Sequence, residues 1–161
     1  MTNNDILRRV RYALNLRDRA MVSIFKDGGI NLNVDEVLNL LKKPDEDGFV
    51  KCNNKTLEAF LDGLIIAKRG HQDKPEGEKV VAPSTQADFN NLILKKLRIA
   101  LNLKSDDMLR IFGLAGVYIS ESELSALFRK KGHKNYKECG DKFIRTFLKG
   151  LIIANRGERD E

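Results

Sequence analysis

Apolar residues recur three and four positions apart near the start of the chain, where Leu7, Val10, Ala13 and Leu14 form one stripe. That spacing lines one face of an α-helix and predicts a first helix over about 4–16, capped from Thr2 or Asn3. A second helix is expected over about 17–26, ending at the Gly28-Gly29 pair. A third follows Asn33, and Glu36 three positions on completes a capping-box pattern. The fourth covers about 55–69 and stops at Gly70, where a left-handed C-terminal residue is expected. The one β-like run is Ile30 to Val34, so Ile30 and Leu32 form a single short pairing segment at most.

Shifted by 87 positions, the chain aligns with itself: residues 4–70 meet 91–157 without a gap, with 26 identities in 67 pairs. Self-similarity of this kind is a duplication. The organisation it implies is a first copy over 1–70, a linker over 71–90, a second copy over 91–157 and a tail over 158–161. The linker holds Pro75, Gly77 and Pro83 with the polar run Ser84 to Asp88, and is long enough to allow almost any docking of the copies. Ser120 and Glu123 repeat the capping box of Asn33 and Glu36.

Each copy is near the size below which a core becomes thin, which favours a shared one. The expected fold is all-α, two tandem homologous four-helix repeats packed as a pseudo-twofold dimer, with the fourth helices contributing heavily to the common core. Small residues stand four apart on that helix, as Ala59, Gly63 and Ala67 and again as Thr146, Gly150 and Ala154. Glycine inside a helix costs about 1 kcal/mol relative to alanine, so the row reads as a close-packing seam. The seam lies either within a copy or between the two fourth helices.

The blocks RRVRYALNL (8–16), DGLIIAKRG (62–70) and KGLIIANRG (149–157), together with the ungapped duplication, resemble the YehS-like bacterial family. The resemblance spans nearly the whole chain. It implies two copies of a domain of unknown function and supplies no catalytic residue.

Hydrophobic residues at 42% and charged residues at 32% describe a soluble globular chain with material for a core, despite few aromatics and no Trp. Arg8, Arg9 and Arg11 interrupt the N-terminal apolar residues, which excludes a signal peptide. The longest apolar stretches, Leu64 to Ala67 and Leu151 to Ala154, are too short to span a bilayer. Two cysteines without a disulfide framework fit a reducing cytoplasm. Net charge is +6, and Lys plus Arg minus Asp plus Glu is 12 − 10 over 1–70, 2 − 4 over 71–90 and 15 − 9 over 91–161. The second copy therefore carries most of the excess, and an acidic partner is permitted.

Two surfaces could meet such a partner. On the first helix, Asn4, Arg8, Arg11 and Asn15 share a face, matched by Asn91, Lys95, Arg98 and Asn102. Asn with Arg suits phosphates, base edges or backbone amides, although Asn also caps helix ends and Arg is an ordinary solvated charge. The loop before the fourth helix is acidic in copy one, with Asp45, Glu46 and Asp47. In copy two it holds Arg129, Lys130, Lys131, Lys134 and Tyr136, the strongest anion-binding pattern in the chain. A basic loop is also a common solvated feature.

The stretch from Met108 to Leu124 loosely resembles a helix-turn-helix. Its turn is too long, and Glu121 and Glu123 stand where a reading helix meets DNA, so major-groove recognition is disfavoured. Catalytic signals are poor: His71 and His133 lack ligand-spaced partners, Cys52 and Cys139 read as small hydrophobes, and no phosphate-binding glycine loop follows a strand. The expectation is a non-enzymatic binding module for an acidic partner, nucleic acid or an acidic protein, with no cofactor, no metal and no membrane. The alternative is a protein-protein adaptor or oligomerisation unit.

Overall fold

The computed structural model describes residues 1–71, 83 and 85–157. Within them the chain forms eight helices and no strand: α1 (Asn3–Leu14), α2 (Asp18–Asp27), α3 (Val34–Leu41), α4 (Asn54–Arg69), α5 (Gln86–Ala100), α6 (Ser105–Leu114), α7 (Glu121–Leu127) and α8 (Asp141–Arg156). The segment from Ile30 to Val34 forms no pairing; it leads through the Asn33 cap into the first residue of α3. Most of the linker and all of the tail, 72–82, 84 and 158–161, lie outside the described residues.

Local chemistry sets the helix ends. Thr2 with Asp5, Asn33 with Glu36 and Ser120 with Glu123 close reciprocal capping boxes, so two orphan donors are satisfied at each start. The α1 helix stops because Asn15 turns left-handed (φ 52°), and its copy-two counterpart Asn102 does the same (φ 54°). Gly70 has positive φ (76°), but its ψ of −179° is extended, so it ends α4 in a region open to glycine without being the left-handed cap expected there. A further correction concerns the linker. Thr85 accepts a hydrogen bond from the Asp88 N–H and starts α5 at Gln86, so residues 85–88 of the run read as linker are the cap and first turn of a helix, with Asp88 buried.

The copies pack crosswise. The α1 helix lies against α8 and α4 against α5, while α2 packs on α4 and α6 on α8 within each copy. Each fourth helix is thus held between its own second helix and the other copy's first helix. The fourth helices do build the shared core, but through the first helices rather than through each other. Leu7, Val10, Leu61 and Leu64 are buried in the same cluster as Leu94, Leu97, Leu148 and Leu151. Phe25 meets Phe60 at 5.2 Å and Phe112 meets Phe147 at 5.7 Å, repeating one aromatic contact in both copies.

The small-residue row falls inside each copy. A methyl group at Gly63 would sit 1.8 Å from the Ile24 carbonyl oxygen, and one at Gly150 would sit 1.9 Å from that of Ile111. Backbone of α2 or α6 therefore fills the space a side chain would need. A methyl group at Gly28 would likewise sit 1.8 Å from the Ala59 carbonyl oxygen, yet its counterpart is Ala115.

Candidate functional site

The first-helix residues read as one binding face divide into three roles. Asn4 is 2% exposed; its Nδ2 donates to the Leu40 and Val50 carbonyls (2.7 and 2.9 Å), and its Oδ1 accepts from the Cys52 N–H (3.0 Å). Asn91 makes the same three bonds to Leu127, Lys137 and Cys139. Both pin the loop before the fourth helix, so neither stands on an open face. Asn15 and Asn102 are helix-ending residues with exposed side chains.

The basic members are committed in part. Arg8 donates from Nη1 to the Leu41 and Lys42 carbonyls (3.2 and 2.9 Å) and pairs with Asp5, closing the end of α3 against α1. The Asp5 carboxyl is pushed up by burial but held below its ordinary value by bonds from Thr2 and by Arg8 and Arg9. Arg11 donates from Nε to the Leu16 carbonyl (3.0 Å) and pairs with Asp18. Arg98 repeats the bond to Leu103 (3.0 Å) and lies 4.7 Å over the Phe128 ring. Lys95 is exposed.

The basic loop is partly turned inward. Lys131 approaches Asp88 at 2.6 Å, and the Tyr136 hydroxyl sits 2.6 Å from the other Asp88 oxygen and 3.0 Å from Asn91 Oδ1. Burial and then the Asp88 bond push the Tyr136 phenol well above its ordinary range. That leaves Arg129, Lys130 and Lys134 exposed and without an ion-pair partner among the described residues.

A further set of cations escaped the reading of the sequence. At the seam of α4 and α5, Lys96 pairs with Asp62 and lies 3.9 Å from Glu58. The matching positions at the seam of α1 and α8 are Arg9, Lys149 and Arg145, all cationic, none with an ion-pair partner among the described residues. The two seams share a register: Arg69 Nη1 donates to the Ile99 carbonyl (3.3 Å) and Arg156 Nη1 to that of Tyr12 (3.4 Å), which are equivalent pairs. The signal was present as Lys142, Arg145, Lys149 and Arg156, spaced along one face of the fourth helix. Copy one has Lys55, Glu58, Asp62 and Arg69 there.

Other chemistry is sparse. Cys52 and Cys139 are buried free thiols, each pushed up to about 12 by burial, as small core residues would be. Among the described residues no group of three or more His, Cys, Asp or Glu could hold a metal ion, and no helix is long and apolar enough to cross a membrane. The large hydrophobic side chains exposed among them are Val34, Val50, Leu114 and Tyr118.

Fold and surface together define a duplicated all-helical protein whose copies share one core through crossed first and fourth helices. The chain belongs to the family described as "Protein of unknown function (DUF1456)", which it matches twice, over 3–70 and 90–157. It is similar to "Uncharacterized protein YehS" of Escherichia coli (strain K12), at 42% identity over 151 residues spanning 94% of each chain. No solved structure matches.

Proposed function

We propose that this protein is a non-enzymatic binding module for a polyanion, with the phosphate backbone of nucleic acid as the partner. The observation that carries the reading is the cationic seam of α1 and α8, where Arg9, Arg145 and Lys149 replace the salt-bridged set of the other seam. Unpaired cations on rigid helices attract phosphates at little ordering cost, and each phosphate neutralised releases counterions. Arg129, Lys130 and Lys134 extend the basic surface on a loop that Asn91 anchors. Two buried free thiols fit action in a reducing compartment, the cytoplasm.

Fluorescence anisotropy of labelled single-stranded RNA, single-stranded DNA and duplex DNA, titrated at several salt concentrations, tests this. Binding is expected to weaken steeply with salt. The double reversal Arg145→Glu with Lys149→Glu should lower the slope of log K against log salt by about 1.4 for a single strand, at about 0.7 per phosphate contact. Reversal of Arg129, Lys130 and Lys134 should lower it by about 2. Absence of binding at low salt, or a slope that neither variant changes, would remove the proposal.

A further inference from the structure

Beside the seam of α1 and α8 lies a cleft of about 520 Å³ lined by Arg8, Arg11, Tyr12, Arg17, Leu41 and Arg156, with residues from both copies. Four guanidinium groups meet there, against carboxylates of Asp5 and Asp18 that take one edge each of Arg8 and Arg11. Two positive charges are left uncompensated.

The donors matter more than the net charge, because each guanidinium carries five N–H groups in a fixed fork. Arg11 uses its Nε and Nη2, which leaves Nη1 uncommitted. Arg156 is fixed by its Nη1 bond to Tyr12 and by stacking 4.2 Å over the Tyr12 ring, while its Nε is buried without a hydrogen-bond partner. Arg17 is exposed, and its side chain makes no cap bond. The carbonyl end of α1, which would repel an anion, is already covered by Arg156 and by the Asn15 N–H. Two guanidiniums are thus held in place by some of their N–H groups, with Arg11 Nη1 left over, beside the exposed side chain of Arg17.

The equivalent place in copy two is built differently. Phe128 stands for Leu41 and lies under the Arg98 guanidinium, Ile99 stands for Tyr12, and Lys104 stands for Arg17. One copy therefore fills the site with a ring and the other leaves it to arginines.

We infer that this cleft binds a phosphate monoester, with the dianion held by Arg11, Arg17 and Arg156 and the organic part against Tyr12 and Leu41. A phosphate dianion offers three terminal oxygens to several guanidinium forks, whereas a carboxylate offers two and is satisfied by one. The inference goes beyond the nucleic-acid reading and does not depend on it, because a small phosphorylated compound or a 5′-phosphorylated strand end presents the same group.

Isothermal titration calorimetry in moderately high salt, with inorganic phosphate, AMP and RNA oligomers bearing 5′-phosphate or 5′-hydroxyl ends, separates these sources. AMP should bind with one-to-one stoichiometry and more tightly than inorganic phosphate. Preference for the 5′-phosphate over the 5′-hydroxyl oligomer would place the group on a strand end, and binding of AMP without that preference would place it on a small molecule. Arg17→Glu should weaken AMP binding at least about ten-fold, as loss of a charge-assisted bond implies, while the copy-two control Lys104→Glu leaves it within about two-fold. Leu41→Phe, which copies the residue that closes the other site, should abolish binding without changing any charge, with circular dichroism confirming the fold. No heat with any phosphate, equal losses in Arg17→Glu and Lys104→Glu, or unchanged binding in a folded Leu41→Phe would overturn the inference.

Discussion

The seams that join the copies have the same register and opposite electrostatics. In one, Lys96 on α5 is neutralised by Asp62 and Glu58 on α4; in the other, Arg9 on α1 faces positions held by Arg145 and Lys149 on α8. The loops before the fourth helices diverge in the same way. Both are pinned by a buried Asn and share their backbone bonds, Val50 N–H to the Asn39 carbonyl in one and Lys137 N–H to that of Ala126 in the other. Residues 42–51 nevertheless carry three basic and three acidic side chains, a balance of 0, against five basic and one acidic over 129–138, a balance of +4. The buried Asn anchors, the Phe pairs and the Gly63 and Gly150 crossings have kept their contacts, while the seams and loops have separated in charge. A surface free of packing constraint is where the copies could diverge in what they bind.

The shared scaffold can be challenged first, where the largest effect is expected. Gly63→Ala and Gly150→Ala each place a methyl group into the α2 or α6 backbone, and an overlap this severe should cost about 3 kcal/mol, near the upper part of the range for overpacking. For a chain of this size that is a fall in Tm of roughly 10 °C. Thermal unfolding of both variants should give matching losses. A tolerated Gly150→Ala beside a damaging Gly63→Ala would show that the copies do not share this crossing.

Next in size is the loop anchor. Asn4→Ala leaves the Leu40 and Val50 carbonyls and the Cys52 N–H without their partner in a buried place, at a cost of about 2 to 3 kcal/mol. Asn91→Ala should cost at least as much, because the Tyr136 hydroxyl also loses an acceptor. Urea denaturation measures both. Hydrogen exchange should show the loop amides at 42–53 opening in the first variant and those at 129–140 in the second; an unchanged loop in either would detach Asn from that role.

Much of this scaffold was legible in the residues. Helical spacing, the capping boxes and the ungapped duplication sufficed for eight helices in two copies, because each depends on neighbours along the chain. The start of α5 was missed because its first turn, Gln86 to Asn90, precedes the aligned block and is as polar as a linker, with the buried Asp88 and Asn90 bonded to the loop and the start of α8. Which helices cross was also illegible: the small-residue row at Gly63 fits any close neighbour, and only tertiary packing selects α2. For the candidate surface, Asn4, Arg8 and Arg11 lie on α1 and Asn15 is its left-handed end, yet periodicity is silent on whether a polar face meets water or a loop. Arg9 stood outside that stripe, and its likeness to Lys96 gains meaning only once α1 is seen against α8.

The smallest expected effect addresses the seams directly. Lys96 is 16% exposed in its side chain and has two carboxylates for partners, so Lys96→Ala should lower stability by about 1 kcal/mol, at the upper end for partly screened ion pairs. Arg9 has no ion-pair partner among the described residues, and the matching places on α8 hold cations, so Arg9→Ala should change stability by less than about 0.5 kcal/mol. Paired urea denaturation in low and high salt gives the comparison. Salt should shrink the Lys96→Ala loss, because it screens an attraction, and should leave Arg9→Ala near zero. Equal losses from the two substitutions would mean that the cations at α1 and α8 are held by bonds as strong as those of Lys96. The cationic seam would then be a structural joint, and the basic surface would shrink to Arg129, Lys130 and Lys134.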